Sequence, residues 1–245
     1  MLRADGLSKS FGSLTVTRDV SLNLERGERR ALIGPNGAGK TTLFNLLTGE
    51  LKPDRGKVFF GSREITREPP DARARAGIAR SFQRNNLFDG LTVRENLLTA
   101  ITLSSGVGHV FWRPLAKYSR LAERAETIAG MVGVTDRLDD PVNNLSYGLQ
   151  RQLEIGLALA LDPVVLLLDE PTAGMSPEET AIMTTLLAGL PGDLTLLIIE
   201  HDMDVLFDIT DQVTVLDYGT VLFEGTPDQV RESDDVRGRY FGDAT

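Results

Sequence analysis

The sequence contains no cysteine and only two histidines. The missing cysteines exclude disulfide bonds, thiolate zinc sites and cysteine nucleophiles, and they suit a reducing cytosol. No apolar run approaches the roughly 20 residues that would span a bilayer. The first residues, Met1 to Asp5, contain no apolar stretch, so we expect no secretory signal.

Basic residues are fewer than acidic ones. The chain has 26 Lys and Arg and 35 Asp and Glu, which gives a formal net charge of −9. This balance argues against a broad nucleic-acid surface, and against docking on anionic lipid by charge alone. In contrast, 41% hydrophobic and 25% charged residues are ordinary for a globular protein with a core. The length of 245 residues suits one large domain or two small ones.

A glycine-rich stretch fits the pattern G-x-x-x-x-G-K-[S/T]. Its residues are Gly34, Pro35, Asn36, Gly37, Ala38, Gly39, Lys40 and Thr41. An apolar run of strand type precedes it and a segment with helical spacing follows, which is the context of a phosphate-binding loop. Glycines let backbone N–H groups converge on phosphate, and the positive end of the helix points at the same anion. A chance match has odds of roughly one in a hundred in a chain of this length.

The chemistry of this loop assigns roles to its last two residues. The ammonium group of Lys40 should reach the β- and γ-phosphates of a nucleoside triphosphate, and the hydroxyl of Thr41 should ligate Mg²⁺. A nucleoside triphosphate with Mg²⁺ is therefore expected here, and the family resemblance described below implies that the nucleotide is ATP.

The rest of the chain predicts an α/β protein. Residues 164–168 and 194–199 are continuously apolar, as in central parallel strands. The N-terminal part predicts short β pieces over 2–4, 14–17 and 20–24. Between the two regions, a helical part is predicted over 93–103, 121–132 and 149–161, with Thr92 and Glu95 forming a capping box at its first helix.

Acidic and histidine side chains follow the two buried strands. Asp169 can hold Mg²⁺, and Glu170 can polarise an attacking water as general base. His201 follows the second strand, where it can donate a proton to a γ-phosphate. The alternatives are an acidic turn before Pro171 and a capping or surface histidine. The apolar strands before these residues favour function.

Two further positions have weaker signals. Gln83 ends a predicted strand, 78–82, and its amide can contact Mg²⁺ or water, although glutamines are usually surface residues. Ser146 and Gly148 precede a long helix and can bind an anion there, although a simple N-cap explains them equally well.

Taken in this order, the motifs resemble the nucleotide-binding domain of ABC transporters over the whole chain. The resemblance implies a single domain, 1–245, with a P-loop NTPase core, a mainly parallel sheet and an antiparallel β subdomain (about 1–84 and 162–245). A helical subdomain (about 85–161) is inserted into it. It also implies that Phe11 stacks on adenine and that Thr42 contacts the α-phosphate. Gln83 is then the Q-loop residue and His201 the switch histidine.

In that family, Ser146 and Gly148 bind the γ-phosphate held by the other protomer of a dimer. Two departures from the family pattern bear on this role. Tyr147 and Leu149 replace a glycine and a glutamine of the signature Leu-Ser-Gly-Gly-Gln, and the loop after Asp-Glu-Pro ends in Ser176 where an aspartate is usual. These departures concern coupling across the dimer rather than nucleotide binding.

A finer resemblance is to the ATPases of branched-chain amino-acid importers. It depends on segments such as 80–83, 91–96, 173–175 and 200–203. It implies an ATPase that is cytoplasmic and peripheral on the inner face of the plasma membrane. Its partners would be a like or different cassette, membrane permeases and, indirectly, a periplasmic solute-binding protein. Leu87, Phe88 and Leu91 are candidates for an apolar permease contact, or for ordinary core.

Other functions fit parts of the pattern. Importers of urea or amides, and the ATPase of lipopolysaccharide export, share many of these segments. An ABC ATPase that acts on nucleic acid or ribosomes is disfavoured by the net charge of −9. A nucleotide switch without hydrolysis is disfavoured by the intact set of Lys40, Asp169, Glu170 and His201.

Overall fold

A six-stranded, mainly parallel sheet organises the part of the chain that the computed structural model describes, residues 1–81, 87–104 and 119–236. In spatial order its strands are β10 (Thr220–Gly225), β9 (Gln212–Asp217), β3 (Arg29–Ile33), β8 (Thr195–Ile199), β7 (Val165–Asp169) and β6 (Ile78–Arg80). Within this sheet the pair β9–β10 is antiparallel and the other pairs are parallel. Strands β7 and β8 are buried throughout, which confirms the prediction from their apolar runs.

An antiparallel sheet packs beside it, and here the strand boundaries differ from those predicted. Its order is β2 (Leu14–Leu24), β1 (Leu2–Phe11), β4 (Arg55–Phe60) and β5 (Arg63–Glu64). The short pieces predicted near the N-terminus are in fact two long strands that form a hairpin. Register shifts along β1 interrupt the alternation of apolar and polar residues, and this interruption made the strands look shorter than they are.

Helices occupy connections between strands and the segment that follows β10. They are α1 (Lys40–Thr48), α2 (Pro70–Arg75), α3 (Val93–Ser104), α4 (Ser119–Met131), α5 (Tyr147–Leu159), α6 (Pro177–Ala188), α7 (Met203–Ile209), α8 (Pro227–Glu232) and α9 (Asp234–Val236). The predicted capping box of α3 forms, since the Glu95 carboxylate accepts from the Thr92 N–H at 2.8 Å and the Thr92 hydroxyl accepts from the Glu95 N–H at 3.2 Å. Helix α5 begins two residues before its predicted start because Ser146 is its N-cap.

The core lies on both faces of the six-stranded sheet. Along β7, Leu166 and Leu168 point into a cluster shared with α3 to α7. Val165 and Leu167 point into a second cluster, shared with α1 and the antiparallel sheet. Because β3, β8 and β7 are parallel neighbours, their carboxyl ends lie at a common edge of the sheet. Ligands bind at this edge in open α/β sheets.

A helix that spans a bilayer has to be both long and apolar. Within the described ranges, none combines the length and the apolar character that crossing a bilayer demands.

Candidate functional site

The glycine loop lies between the end of β3 and the start of α1, as predicted. At two of its glycines, any other residue would place a Cβ atom against the backbone of a neighbouring strand. Gly34 has φ +150°, and a Cβ there would lie 2.2 Å from the Leu216 carbonyl oxygen. Gly39 has φ +103°, and its Cβ would lie 2.7 Å from the Val16 carbonyl oxygen. The loop is thus held tightly against β9 and β2, and its shape depends on both glycines.

A cleft of about 180 Å³ opens beside this loop. The described residues that line it are Val16, Asn36, Gly37, Ala38, Gly39, Lys40, Thr41, Thr42, Glu170 and His201. Most of the predicted nucleotide-binding residues therefore share one surface with two of the predicted catalytic residues. Gly34 and Pro35 shape the loop from behind this surface.

Lys40 is buried, and its ammonium group faces the loop. Its Nζ donates to the Gly34 carbonyl at 2.6 Å and to the Pro35 carbonyl at 3.2 Å. Burial lowers the pKa of Lys40, and the negative charges of Glu170 and Asp169 oppose that change. The loop thus holds the ammonium group with two neutral carbonyl acceptors, which phosphate oxygens can replace.

Asp169 ends β7 and is almost fully buried. Its Oδ2 accepts from a guanidinium nitrogen of Arg80 at 2.8 Å. Its Oδ1 is buried and has no hydrogen-bond partner among the described residues. Burial raises the pKa of this carboxyl, and the Arg80 charge opposes the rise.

Glu170 and His201 form a pair at the rim of the cleft. The His201 Nε2 and the Glu170 Oε1 are 2.8 Å apart. The pairing of Asp169 with Ile199 confirms that β7 and β8 are neighbours, and this brings the two residues together. Glu170 has φ +49°, which is unusual for a residue with a side chain. Its N–H donates to the Ile199 carbonyl at 2.8 Å, so the backbone is fixed in this conformation.

Ser146 and Gly148 lie outside the described lining of the cleft. The Ser146 hydroxyl accepts from the Leu149 N–H at 3.4 Å, and the Gly148 N–H donates to the Glu179 Oε1 at 3.1 Å. The hydroxyl of Tyr147 donates to the Ala173 carbonyl at 3.1 Å. The start of α5 is therefore tied to the loop and helix that follow Glu170.

The remaining predicted residues are placed as follows. Phe11 is 49% exposed, at the end of β1, and also lies outside the described cleft lining. Gln83 lies outside the described residues, so its predicted contact with Mg²⁺ stays a prediction. Of the predicted apolar contact, Phe88 is 56% and Leu91 36% exposed, whereas Leu87 packs in the core and is not part of such a surface.

No role was predicted from the sequence for two charged residues whose side chains are largely buried. Arg80 binds Asp169, and Glu154 lies buried on α5. Both line an apolar groove of about 190 Å³ together with Phe88, Leu103 and Leu157. A charged residue within an apolar helical face, as at Glu154, is the signal that could have revealed the groove.

Comparison with known proteins agrees with this geometry. The family model described as "ABC transporter" matches residues 17–173. The branched-chain amino acid transport ATP-binding protein LivG of Salmonella typhimurium is 40% identical over 100% of this chain and 98% of its own length. BraF of Pseudomonas aeruginosa, with the same description, is 38% identical over 100% and 98%.

Solved structures agree as well. The ADP conformation of MJ1267, an ATP-binding cassette of an ABC transporter, has a TM-score of 0.86 and 31% identity, covering 99% of each chain. A dimeric structure of the cassette MJ0796 has a TM-score of 0.78 at 24% identity, covering 93% of this chain and 99% of that one, and shows the fold alone. The chain belongs to the ABC transporter family, in the class of its ATP-binding cassettes.

Proposed function

We propose that this chain binds ATP with Mg²⁺ and hydrolyses it to ADP and phosphate, to power an importer of branched-chain or related amino acids. The observation that carries the proposal is the single cleft that brings the glycine loop together with the Glu170–His201 pair. The full-length likeness to LivG and BraF supports the choice of solute class.

The residues of the cleft suit each part of this reaction. Backbone N–H groups of the loop and the start of α1 face the phosphates. When ATP binds, the Lys40 ammonium group donates to phosphate oxygens instead of to the carbonyls of Gly34 and Pro35. Glu170 accepts a proton from the water that attacks the γ-phosphorus, while the bond from that phosphorus to the β–γ bridging oxygen breaks. His201, held by Glu170, donates to the γ-phosphate.

The site also fits a magnesium ion. Thr41 lines the cleft, and Asp169, the residue before the lining residue Glu170, has a buried Oδ1 with no partner among the described residues. Carboxylate and hydroxyl oxygens are ligands that Mg²⁺ accepts. When bound, the ion neutralises charge on the phosphates. Gln83 is the proposed third contact.

The assembly that we propose has two cassettes and a permease. Ser146 and Gly148 serve the ATP of the opposite cassette, and Phe11 stacks on adenine in its own. The proposed core (about 1–84 and 162–245) carries a helical subdomain (about 85–161), supported by the packing of α3 against α4 and α5. The apolar groove beside Phe88 receives a cytoplasmic segment of the permease, so the chain acts at the inner face of the membrane.

Changing Glu170 to Gln tests the reaction. The variant should bind ATP normally and lose about 10²- to 10⁴-fold in turnover, because general-base assistance is removed. Phosphate release is measured with the permease present. The matched control is Glu178→Gln, an exposed position on α6. Near-normal turnover of the Glu170 variant would exclude this glutamate as the base.

The solute class needs a separate test. Proteoliposomes that contain the cassette, its permease and its binding protein should accumulate radiolabelled leucine when ATP is supplied. Uptake of urea or an amide instead would keep the ATPase and reject the proposed solute.

A further inference from the structure

One buried arginine connects the apolar groove with the edge of the sheet where Asp169 ends β7. Arg80 is the last residue of β6, and its side chain is 9% exposed. It lines the groove between α3 and α5. Its guanidinium also donates to the Asp169 Oδ2 at 2.8 Å. The same side chain therefore contacts both the groove and the carboxylate that ends β7.

The guanidinium is held on several sides. It lies 3.2 Å from the Glu50 Oε1 and donates to the Asn45 Oδ1, and its carbon atom is 5.8 Å from the Phe44 ring centroid. Such a fixed, planar group can hold a carboxylate in one orientation, which a lysine ammonium cannot do. With Oδ2 occupied in this way, the free Oδ1 of Asp169 is the oxygen left for a metal.

The hydrogen-bonding capacity of Arg80 is not fully used. Its Nε is buried and has no hydrogen-bond partner among the described residues. Glu154, the other charged residue of the groove, also has an oxygen, Oε1, without a partner in the described part of the chain. Because both atoms are buried, a segment in the groove can hydrogen-bond to them only if the two side chains rearrange, and such a rearrangement would shift the guanidinium and Asp169 with it.

We propose that Arg80 is a positioning residue, which orients Asp169 for the metal and transmits occupation of the groove to it. The inference rests on the proposed function for the metal and for the permease segment. It adds a side-chain contact that joins the two sites directly.

The first part of the proposal, that Arg80 orients Asp169 for the metal, is tested by measuring nucleotide binding. The dissociation constant of a fluorescent, non-hydrolysable ATP analogue is measured in EDTA and in Mg²⁺, and the ratio reports the contribution of the metal. Residues that orient a metal ligand typically contribute 10- to 100-fold in metal affinity, so Arg80→Met and Arg80→Lys should each lower the ratio about 10-fold. If the guanidinium acted only by its charge, removing a cation beside the metal would raise the ratio.

Controls separate folding from positioning. Unchanged binding in EDTA shows that the cleft is folded, and Arg80→Lys keeps the charge beside Asp169 if the Met variant does not fold. The matched control is Arg94→Met, because Arg94 pairs with Glu126 and Asp139 away from the groove. A ratio that is unchanged or raised in both Arg80 variants would overturn the proposal. A wild-type ratio near one would instead reject the proposed metal role of Asp169.

The second part of the proposal, that Arg80 transmits occupation of the groove to Asp169, is tested with the permease in nanodiscs. Permease binding should change the wild-type ratio at least threefold, and Arg80→Lys should bind the permease without this change. Phe88→Ala, which removes an exposed side chain of the groove, should weaken binding itself. A wild-type cassette that binds the permease with an unchanged ratio would overturn the coupling. Absence of any permease binding would reject the proposed docking groove.

Discussion

At the scale of single residues, Lys40 has the most direct consequence. Among the described residues its ammonium group has only backbone carbonyls as hydrogen-bond partners, so its proposed role is to bind phosphate. Lys40→Ala should weaken ATP binding about 10- to 100-fold, because a charged hydrogen bond of about 1.5–3 kcal/mol is lost. Titration with a fluorescent ATP analogue measures this.

The control for this variant is Lys52→Ala, a lysine exposed on a turn away from the cleft. Equal affinity of the Lys40 variant and the wild type would show that the backbone N–H groups and the helix suffice. The cation would then act later, during hydrolysis.

Single residues also show what sequence patterns can predict. The loop and the placement of Asp169, Glu170 and His201 were predicted because each follows an apolar strand within a few residues. The ion pair of Arg80 with Asp169 was not predicted, because it joins β6 to β7 across 89 positions of sequence. Such a contact depends on the neighbour relations of strands, which local patterns do not contain.

At the scale of elements, the start of α6 stabilises two helices at once. The Glu179 Oε2 accepts from the Ser176 N–H at 3.1 Å, while its Oε1 accepts from the Gly148 N–H at 3.1 Å. Glu179→Ala should therefore lower the free energy of unfolding by about 1–2 kcal/mol, since a cap and a tie to α5 are lost together. Urea denaturation measures the change.

Glu178→Ala is the matched control, because Glu178 lies on the same turn and is exposed. It should cost about 0.5 kcal/mol or less, as surface substitutions usually do. An equal loss in the two variants would show that the tie to α5 contributes nothing to stability.

Elements with strong end signals were well predicted from the sequence. The start of helix α3 was predicted from its capping box, which forms, and helices α6 and α8 also begin with capping boxes in the structure. Strands β1 and β2 were underestimated, because register shifts at residues such as Gly6 depend on hydrogen bonds with a partner strand. Sequence alone shows the alternation that the bulges interrupt, but not the ladder that continues through them.

At the scale of the whole molecule, the proposed site is shared between two copies of the chain. Two variants test this: Lys40→Ala with an intact Ser146, and Ser146→Arg with an intact loop. Each alone should be inactive in a homodimer. Random pairing makes about half of the dimers mixed, each with one complete site of two, so activity should recover to roughly a quarter of the wild-type value. ATPase activity of the mixture, with permease present, measures this.

A crosslink distinguishes the outcomes if no activity returns. The chain has no cysteine of its own, so cysteines introduced at Ser146 and Asn36 would be its only thiols. ATP should promote a disulfide between two copies. If it does not, the shared site is wrong; if it does, both sites must be intact for either to work.

The left-handed backbone of Glu170 sets stability against the proposed reaction at this one position. A side chain in that conformation costs on the order of 1–3 kcal/mol, and glycine would avoid the cost. The most accessible gain in melting temperature at this position thus removes the carboxylate on which the proposed reaction depends. Selection for thermal stability alone would favour glycine at position 170, which gives a more stable but inactive protein. Sequences that keep the proposed activity therefore keep glutamate there and accept the lower stability.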